Sequence, residues 1–365
     1  MSTQGLCVLF AGGGTAGHVL PAIATDDALR KLTRSSGLPI TSIYLATEHG
    51  AELPILRERG ANFHLVPKCD FPRKFNVDIL TFLPRLIFAV ARALRAVRGV
   101  DVVIGFGGYV ALPAYFAARI ASKPLIIHEA NALPGLANRV GKKFATYAFT
   151  NFPIPAWPTS EPIGLPIRES IWQVGRMSDQ ERNEARIRAR KHFGLESERK
   201  TILAFGGSLG AAKLNEALAN SLPLLLDSGF QILHATGAGK EAAISQSGYH
   251  PMPFITEMDQ AYLAADLIIS RSGAGSCAEI LATGIPALLI PLEIGNGEQR
   301  LNAEFLAQSG VAKVILNDQL SSESLIASIK ELVDYPVSST ITESPAAERL
   351  ALAIMDIHGL REKKR

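Results

Sequence analysis

The sequence predicts an α/β protein of two tandem domains, each a parallel sheet covered by helices, and three observations predict it. An apolar strand, Leu6 to Ala11, runs through a glycine loop, Gly12 to Gly17, into an apolar-periodic helix from Val19 onward. About 190 positions later the same grammar returns: strand Thr201 to Phe205, loop Gly206-Gly-Ser208-Leu-Gly210, helix Ala211 to Leu222. Between and after these openings, short apolar runs alternate with helical stretches, the pattern of parallel sheets with helices on both faces.

In the first half the candidate strands are Ser42 to Ala46, Val100 to Gly105, Leu125 to His128 and Ala145 to Thr150. In the second half they are Gln231 to Ala235, Leu267 to Ser270 and Ala287 to Ile290. Helical stretches separate them: Leu83 to Val97, Tyr115 to Ala121, Gln260 to Ala265 and Ser276 to Thr283. Asn151 to Pro166 reads as the linker, because four prolines from Pro153 to Pro162 stiffen it and block helix and central strand alike. A charged helix follows over Ser178 to Phe193. The expected division is residues 1–165 and 166–345, with a last helix from Ala346 packing back on the first domain.

Composition supports this. A chain of 365 residues with 47% hydrophobic and 19% charged residues is globular, not disordered, and long for a single core. A formal charge of +3 is too small to argue for nucleic acid. Cys7, Cys69 and Cys277 have no metal-ligand spacing and fit a reducing cytosol. The polar start lacks a signal-like segment, and no run reaches the ~20 apolar residues of a membrane span. The expectation is a cytoplasmic protein whose membrane contact, if any, is peripheral.

The chemistry gathers at loops that follow strands. In Gly12-Gly-Gly-Thr15-Ala16-Gly17-His18, glycines let backbone amides approach an anion at a helix N-terminus. A cationic imidazole is disfavoured at that end of a helix, so His18 is expected neutral, the form a general base needs. The run also matches G-x-G-x-x-G with Glu48 after the second strand, which keeps a dinucleotide-binding dehydrogenase as an alternative. Ser208 offers a hydroxyl among amides suited to a diphosphate. In Arg271-Ser-Gly-Ala274-Gly275-Ser276-Cys-Ala-Glu279 a small-residue turn lets a ligand lie on backbone, and Glu279 can accept from ribose hydroxyls. The polar loop Pro291 to Asn302 carries Glu298 and Gln299, groups suited to sugar hydroxyls. His128-Glu-Ala-Asn131 ends a strand, where polar groups face a ligand crevice.

Six segments in order carry a resemblance: Gly12 to His18, Gly107-Gly-Tyr-Val110, His128 to Asn131, Gly164-Leu-Pro-Ile-Arg168, Gly206 to Ala211 and Arg271 to Glu279. Together they resemble the MurG family, bacterial transferases that add GlcNAc to undecaprenyl-pyrophosphoryl-MurNAc-pentapeptide (lipid I) to give lipid II. The resemblance implies two Rossmann-like domains facing a cleft, the GT-B glycosyltransferase architecture, with UDP-GlcNAc on the second domain and the acceptor on the first. It assigns uracil to the Ile255 backbone, ribose to Glu279, diphosphate to Ser208 and Arg168, and GlcNAc hydroxyls to Gln299. Thr15, Ala16, Gly17, His18 and Asn131 then face the acceptor and the reacting sugar. The chain departs from the family at Ala130, where Gln is frequent, at Leu209, where a polar residue is common, and at Glu298, where a second Gln is typical.

The resemblance further implies an inverting transfer with His18 as base, without cofactor or metal; the sequence has no Asp-x-Asp motif. The motifs are also compatible with a glycolipid synthase of the same architecture and with a non-catalytic nucleotide binder. Around the helix Leu83 to Val97, Phe75, Ile79, Phe82, Leu83 and Leu86 interleave with Arg85, Arg92, Arg95 and Arg98. Such a mixture suits an anionic membrane surface; spacing alone favours a buried helix with a basic outer face, and the resemblance tips the reading toward the membrane.

Overall fold

The computed structural model describes residues 5–69, 78–207, 211–237, 246–293, 296–337 and 345–362, without the side chains of 78–80 and 360–362. The chain divides into two compact units, Met1–Ile167 with Ser344–Arg365, and Arg168–Glu343.

In chain order the first unit contains β1 (Leu6–Gly12), α1 (Ala16–Thr33), β2 (Ile40–Ala46), α2 (Glu52–Glu58) and β3 (Phe63–Leu65). It continues with α3 (Asp78–Arg98), β4 (Val102–Gly107), α4 (Ala111–Ile120), β5 (Leu125–Glu129), α5 (Leu136–Gly141), β6 (Tyr147–Thr150) and β7 (Glu161–Pro162). The second unit contains α6 (Glu169–Val174), α7 (Asp179–His192), β8 (Thr201–Phe205), α8 (Ala212–Asp227), β9 (Gln231–Ala235) and β10 (Tyr249–Met252). After these come α9 (Met258–Ala264), β11 (Leu267–Ser270), α10 (Ala274–Thr283), β12 (Ala287–Leu289), α11 (Glu298–Gln308), β13 (Ala312–Val314) and α12 (Ser322–Leu332). The final helix, α13 (Ala346–Glu362), belongs to the first unit.

Both sheets are parallel. Their orders are β3-β2-β1-β4-β5-β6-β7 and β10-β9-β8-β11-β12-β13. Each order reverses at a central pair, β1/β4 in the first sheet and β8/β11 in the second, and ligands of such sheets bind beyond the strand ends at that switch point.

The core follows from the period of two in a strand. Leu6, Val8 and Phe10 of β1 project to one face of the first sheet and join Val19, Leu29, Leu350 and Ile354 of α1 and α13. Leu9 and Ala11 project to the other face and join Ala93, Val97, Ala114 and Tyr115 of α3 and α4. The last helix thus packs with α1 on one face of the sheet, and Tyr147 donates its hydroxyl to Asp356 at 2.7 Å. In the second unit Ile202, Ile232, Ile269 and Leu288 form one cluster with Leu214, Leu218, Leu325 and Ile329 of α8 and α12.

The proline-rich stretch contributes one short strand, at the sheet edge. Pro162 lies in β7, the two-residue edge of the first sheet, where a missing N–H costs no internal ladder bond.

Candidate active site

The strands of the first unit end in loops at the β1/β4 switch point. Gly107, the last residue of β4, and Gly108 after it have φ of +88° and +86°, and a Cβ on Gly108 would lie 1.8 Å from the Gly13 carbonyl oxygen. The two loops are therefore in backbone contact, and His18 lies against this seam, its Nδ1 3.1 Å from Thr15 Oγ1. Thr15 is the N-cap residue of α1, yet its side chain turns to His18, and no side chain caps the helix. The first amides of α1 are left for an anion.

Burial drives the His18 imidazole below its ordinary value, against smaller opposing effects of a hydrogen bond with the Gly13 backbone and the charge of Glu52. The ring is thus neutral at neutral pH, and with Nδ1 beside Thr15, Nε2 is the nitrogen left to take a proton.

Sequence reasoning missed what shapes the glycine loop. Glu52, at the start of α2, is fully buried: its Oε2 accepts from the Gly14 N–H at 2.8 Å, and its Oε1 from the Thr47 N–H and hydroxyl, each at 2.8 Å. A Cβ on Gly13 would meet this carboxylate at 3.0 Å, and one on Gly14, at φ +95°, would meet the Tyr109 ring at 2.6 Å. Glu48, on which the dinucleotide reading rested, is exposed. The available signal was a second carboxylate just beyond β2, at the first turn of a helix.

The end of β5 is a buried polar knot. Glu129 accepts from the backbone N–H groups of Asn131 and Gly135, each at 3.0 Å, and from Asn138 Nδ2 at 2.9 Å. Burial pushes the Glu129 carboxyl up, while these donors pull it down. His128 contacts the Gly164 carbonyl oxygen through Nε2 at 2.7 Å, and burial depresses its imidazole to about 4. His128 and Glu129 therefore hold the loop that carries Asn131.

The second unit repeats the uncapped-helix theme. α8 and α10 begin without a side-chain cap, α10 after Gly273, and added Cβ atoms on Gly273 and Gly275 would meet open space. By contrast α7 and α12 each carry a full capping box, Ser178 with Glu181 and Ser321 with Ser324. Open amides thus stand at Ala274, Gly275 and Ser276, beside β8 and β11 at the switch point.

Glu279, one turn into α10, accepts from the Tyr262 hydroxyl at 2.7 Å. Burial raises the Glu279 carboxyl, with Tyr262 and Arg168 opposing. Arg168 donates to the Thr256 carbonyl at 3.2 Å, next to buried Ile255, and its Nε is buried without a hydrogen-bond partner. Structure thus groups Arg168, Ile255 and Glu279, and adds Tyr262, which the sequence reading placed in a helix without a role.

Gln299 and Glu298 stand at the start of α11. Gln299 Oε1 accepts from the Leu292 N–H at 3.0 Å, its carbonyl accepts from Ser272 Oγ at 2.8 Å, and Glu298 accepts from the Asn296 N–H at 3.0 Å. Buried Arg271 fixes the same loop from below, donating to the Ile290 carbonyl at 3.0 Å and Asn317 Oδ1 at 2.8 Å. Ser208 and Phe75 lie outside the described residues, as does the side chain of Ile79.

On α3, Ala89, Ala93 and Val97 are buried, Phe82 and Leu86 half-buried, and Arg85 exposed; Leu83, Ile87 and Phe88 are exposed at 60%, 62% and 58%. The buried-helix reading accounts for one face only. Among the described residues no helix is long and apolar enough to cross a membrane.

Residues 8–150 match the Glycosyltransferase family 28 N-terminal domain, and residues 201–356 its C-terminal domain. The chain belongs to glycosyltransferase family 28. Family 28 membership displaces the dehydrogenase alternative. Among its relatives is a Nocardia farcinica protein, 41% identical over 91% of this chain and 88% of that one. A Corynebacterium glutamicum (strain R) protein is 39% identical over 90% of each chain. Both are named UDP-N-acetylglucosamine–N-acetylmuramyl-(pentapeptide) pyrophosphoryl-undecaprenol N-acetylglucosamine transferase. The crystal structure of Acinetobacter baumannii MurG aligns over 96% of this chain and 99% of its own, with TM-score 0.71 and 28% identity. The calicheamicin glycosyltransferase CalG4 shares the fold at TM-score 0.62 and 14% identity, over 97% of this chain and 94% of its own.

Proposed function

We propose that this family 28 enzyme transfers GlcNAc from UDP-GlcNAc to the MurNAc C4 hydroxyl of undecaprenyl-pyrophosphoryl-MurNAc-pentapeptide, giving lipid II. The observation that carries it is the 41% identity, over 91% of the chain, to a relative named for that transfer.

The site residues fit the chemistry. His18 Nε2 removes the acceptor hydroxyl proton as that oxygen attacks the anomeric carbon. The carbon–oxygen bond to UDP breaks, its electron pair leaves with the diphosphate, and configuration inverts to a β-linkage. On the donor side Ile255 meets uracil through its backbone and Glu279 accepts from the ribose. The amides at Ala274, Gly275 and Ser276, with Ser208 and Arg168, stabilise the charge on departing UDP. Glu298 and Gln299 orient the GlcNAc hydroxyls. Thr15, Ala16, Gly17 and Asn131 receive the acceptor, whose diphosphate suits the uncapped end of α1. This places donor binding in residues 166–345 and acceptor binding in residues 1–165, with the last helix from Ala346 completing the acceptor domain.

The acceptor is lipid-linked, so the enzyme works peripherally at the cytoplasmic face of the membrane, with Phe75, Ile79, Phe82, Leu83, Leu86 and Arg85 toward anionic lipid. The chemistry as drawn requires neither metal nor nucleic acid.

The test is transfer of labelled GlcNAc from UDP-GlcNAc to a lipid I analogue with EDTA present. Product, with His18→Ala lowering kcat by about 10²–10⁴ while calorimetric UDP-GlcNAc affinity holds, is the expected result. Donor binding without product would discard the acceptor; lost donor binding in His18→Ala would discard the base.

A further inference from the structure

We infer that Glu52 is a positioning residue for transfer, the carboxylate that fixes the glycine loop on which the base His18 is mounted; the inference rests on the reading of His18 as base.

Three features carry it. First, both oxygens of Glu52 are committed, Oε2 to the Gly14 N–H and Oε1 to the Thr47 N–H and hydroxyl, all at 2.8 Å, and the residue has no solvent exposure. A fully buried carboxylate with three donors is a rigid tether, not a solvated surface group.

Second, the surrounding backbone is shaped around this carboxylate. Cβ atoms on Gly50 and Gly13 would meet it at 2.2 and 3.0 Å. The Gly13-Gly14 segment is the one whose carbonyl abuts Gly108, and Thr15 and His18 follow within one turn. The Gly14 amide, which the glycine pattern offers to an anionic ligand, is instead taken by the protein's own anion. The ligand amides of this loop are those further along, at the start of α1.

Third, the charge of Glu52 acts on His18 directly, opposing the desolvation that lowers its imidazole. The other groups about this seam are Thr15 against Nδ1 and the Tyr109 ring over Gly14, which carries Lys68 at 4.5 Å from its centroid. Glu52 thus does two things for the base: it sets where the ring stands, and it keeps some of its basicity in a buried place.

Glu52→Gln separates these effects from a merely structural one. The amide preserves size, and one oxygen still accepts from Thr47, but an NH₂ then faces the Gly14 N–H and the charge is gone. A displaced loop is expected to lower kcat by about tenfold to a hundredfold. UDP-GlcNAc affinity by calorimetry is expected to hold, and the acid limb of the kcat profile is expected to move to lower pH than in wild type. Glu52→Asp, which keeps the charge on a shorter arm, is expected to lower kcat without that displacement of the limb.

Wild-type kcat and an unmoved limb in Glu52→Gln, beside a collapsed His18→Ala, would overturn the positioning role and leave the base standing. High turnover in His18→Ala would overturn the base, and this inference with it. If Glu52→Gln does not fold, Thr47→Val carries the test. It removes one of the three donors, and its kcat is expected to fall severalfold with donor affinity unchanged; a wild-type kcat there overturns the inference.

Discussion

The hydroxyl of Tyr262, fully enclosed in α9, reaches the Glu279 carboxylate on α10 at 2.7 Å. Burial drives the phenol well above its ordinary value, so Tyr262 is a donor at neutral pH. One of the two Glu279 oxygens is engaged by Tyr262 and Arg168 contributes charge, which leaves the other oxygen for a ligand hydroxyl.

On the proposed ribose role, Tyr262→Phe is expected to weaken UDP-GlcNAc binding by roughly tenfold, about 1.4 kcal/mol, with kcat little changed. The pH dependence has a definite sign. Glu279 is already raised by burial, and Tyr262 pulls it down, so removing the hydroxyl raises it further. On acidification, donor affinity should therefore begin to fall at a higher pH in the variant. Calorimetric titrations across a pH series check it, and superimposable profiles would refute the assignment.

Ile354 on α13 is fully buried among residues of β1, β4 and α1, although almost two hundred positions separate it from the linker that closes the first unit. Ile354→Ala is expected to cost about 2–5 kcal/mol, and the loss belongs to the first unit. Hydrogen exchange read by mass spectrometry should show faster exchange in peptides from β1 and β4, and none in peptides from β8 and β11. Equal loss in both sheets would contradict this assignment of the helix.

What was legible in the sequence follows burial. β1, β2, β4, β5 and β6 of the first sheet and β8, β9, β11 and β12 of the second stand out as apolar runs, because a strand covered on both faces must be apolar throughout. The strands that went unread are the four edges, β3, β7, β10 and β13, each two to four residues long and partly exposed. An edge strand has neighbours on one side only, so its composition carries little signal; Glu161-Pro162 shows this at its limit. In the candidate site, the signals present in the sequence are local ones, as in the first glycine loop and His18. They are missing where a side chain acts across space. Glu52 serves Gly14 from 38 positions away, and Tyr262 serves Glu279 from 17, and neither spacing has a local pattern.

His128 gives a stability prediction with a worked sign. Its imidazole is depressed to about 4 in the folded protein against ~6.5 for the unfolded chain. Between those values the unfolded chain binds the extra proton, so stability is full above ~6.5 and falls as pH drops toward 4. The contribution lost is at most about 3–4 kcal/mol, at 1.36 kcal/mol per pKa unit. His128→Gln keeps a donor for the Gly164 carbonyl and has nothing to titrate. Urea unfolding at pH 7 and 4.5 should show a smaller acid loss in the variant, and an equal loss would mean His128 is not the group responsible.

The outer face of α3 gives the last prediction. Leu83, Ile87 and Phe88 are neighbours at i, i+4 and i+5, and each exposes more than half of its surface. Arg92 lies over the Phe88 ring at 5.9 Å, and Arg85 donates to Thr81 within the helix, so the basic groups stand beside the apolar ones. These exposed side chains add almost nothing to the unit's core, and Leu83→Ser with Ile87→Ser should change stability by less than about 1 kcal/mol. Transferring two such side chains into an interface is worth about 1.5–3 kcal/mol each when complete, so partial insertion should leave the double variant roughly tenfold to a hundredfold weaker on vesicles. Co-sedimentation with vesicles containing anionic lipid measures it. Wild-type binding should weaken as salt rises, because the arginines act through a screened potential, and should be poorer on neutral vesicles. Transfer to a short-chain, water-soluble acceptor should be unaffected by the substitutions, since both side chains are exposed on α3. Undiminished vesicle binding in the double variant would move the membrane contact away from this helix.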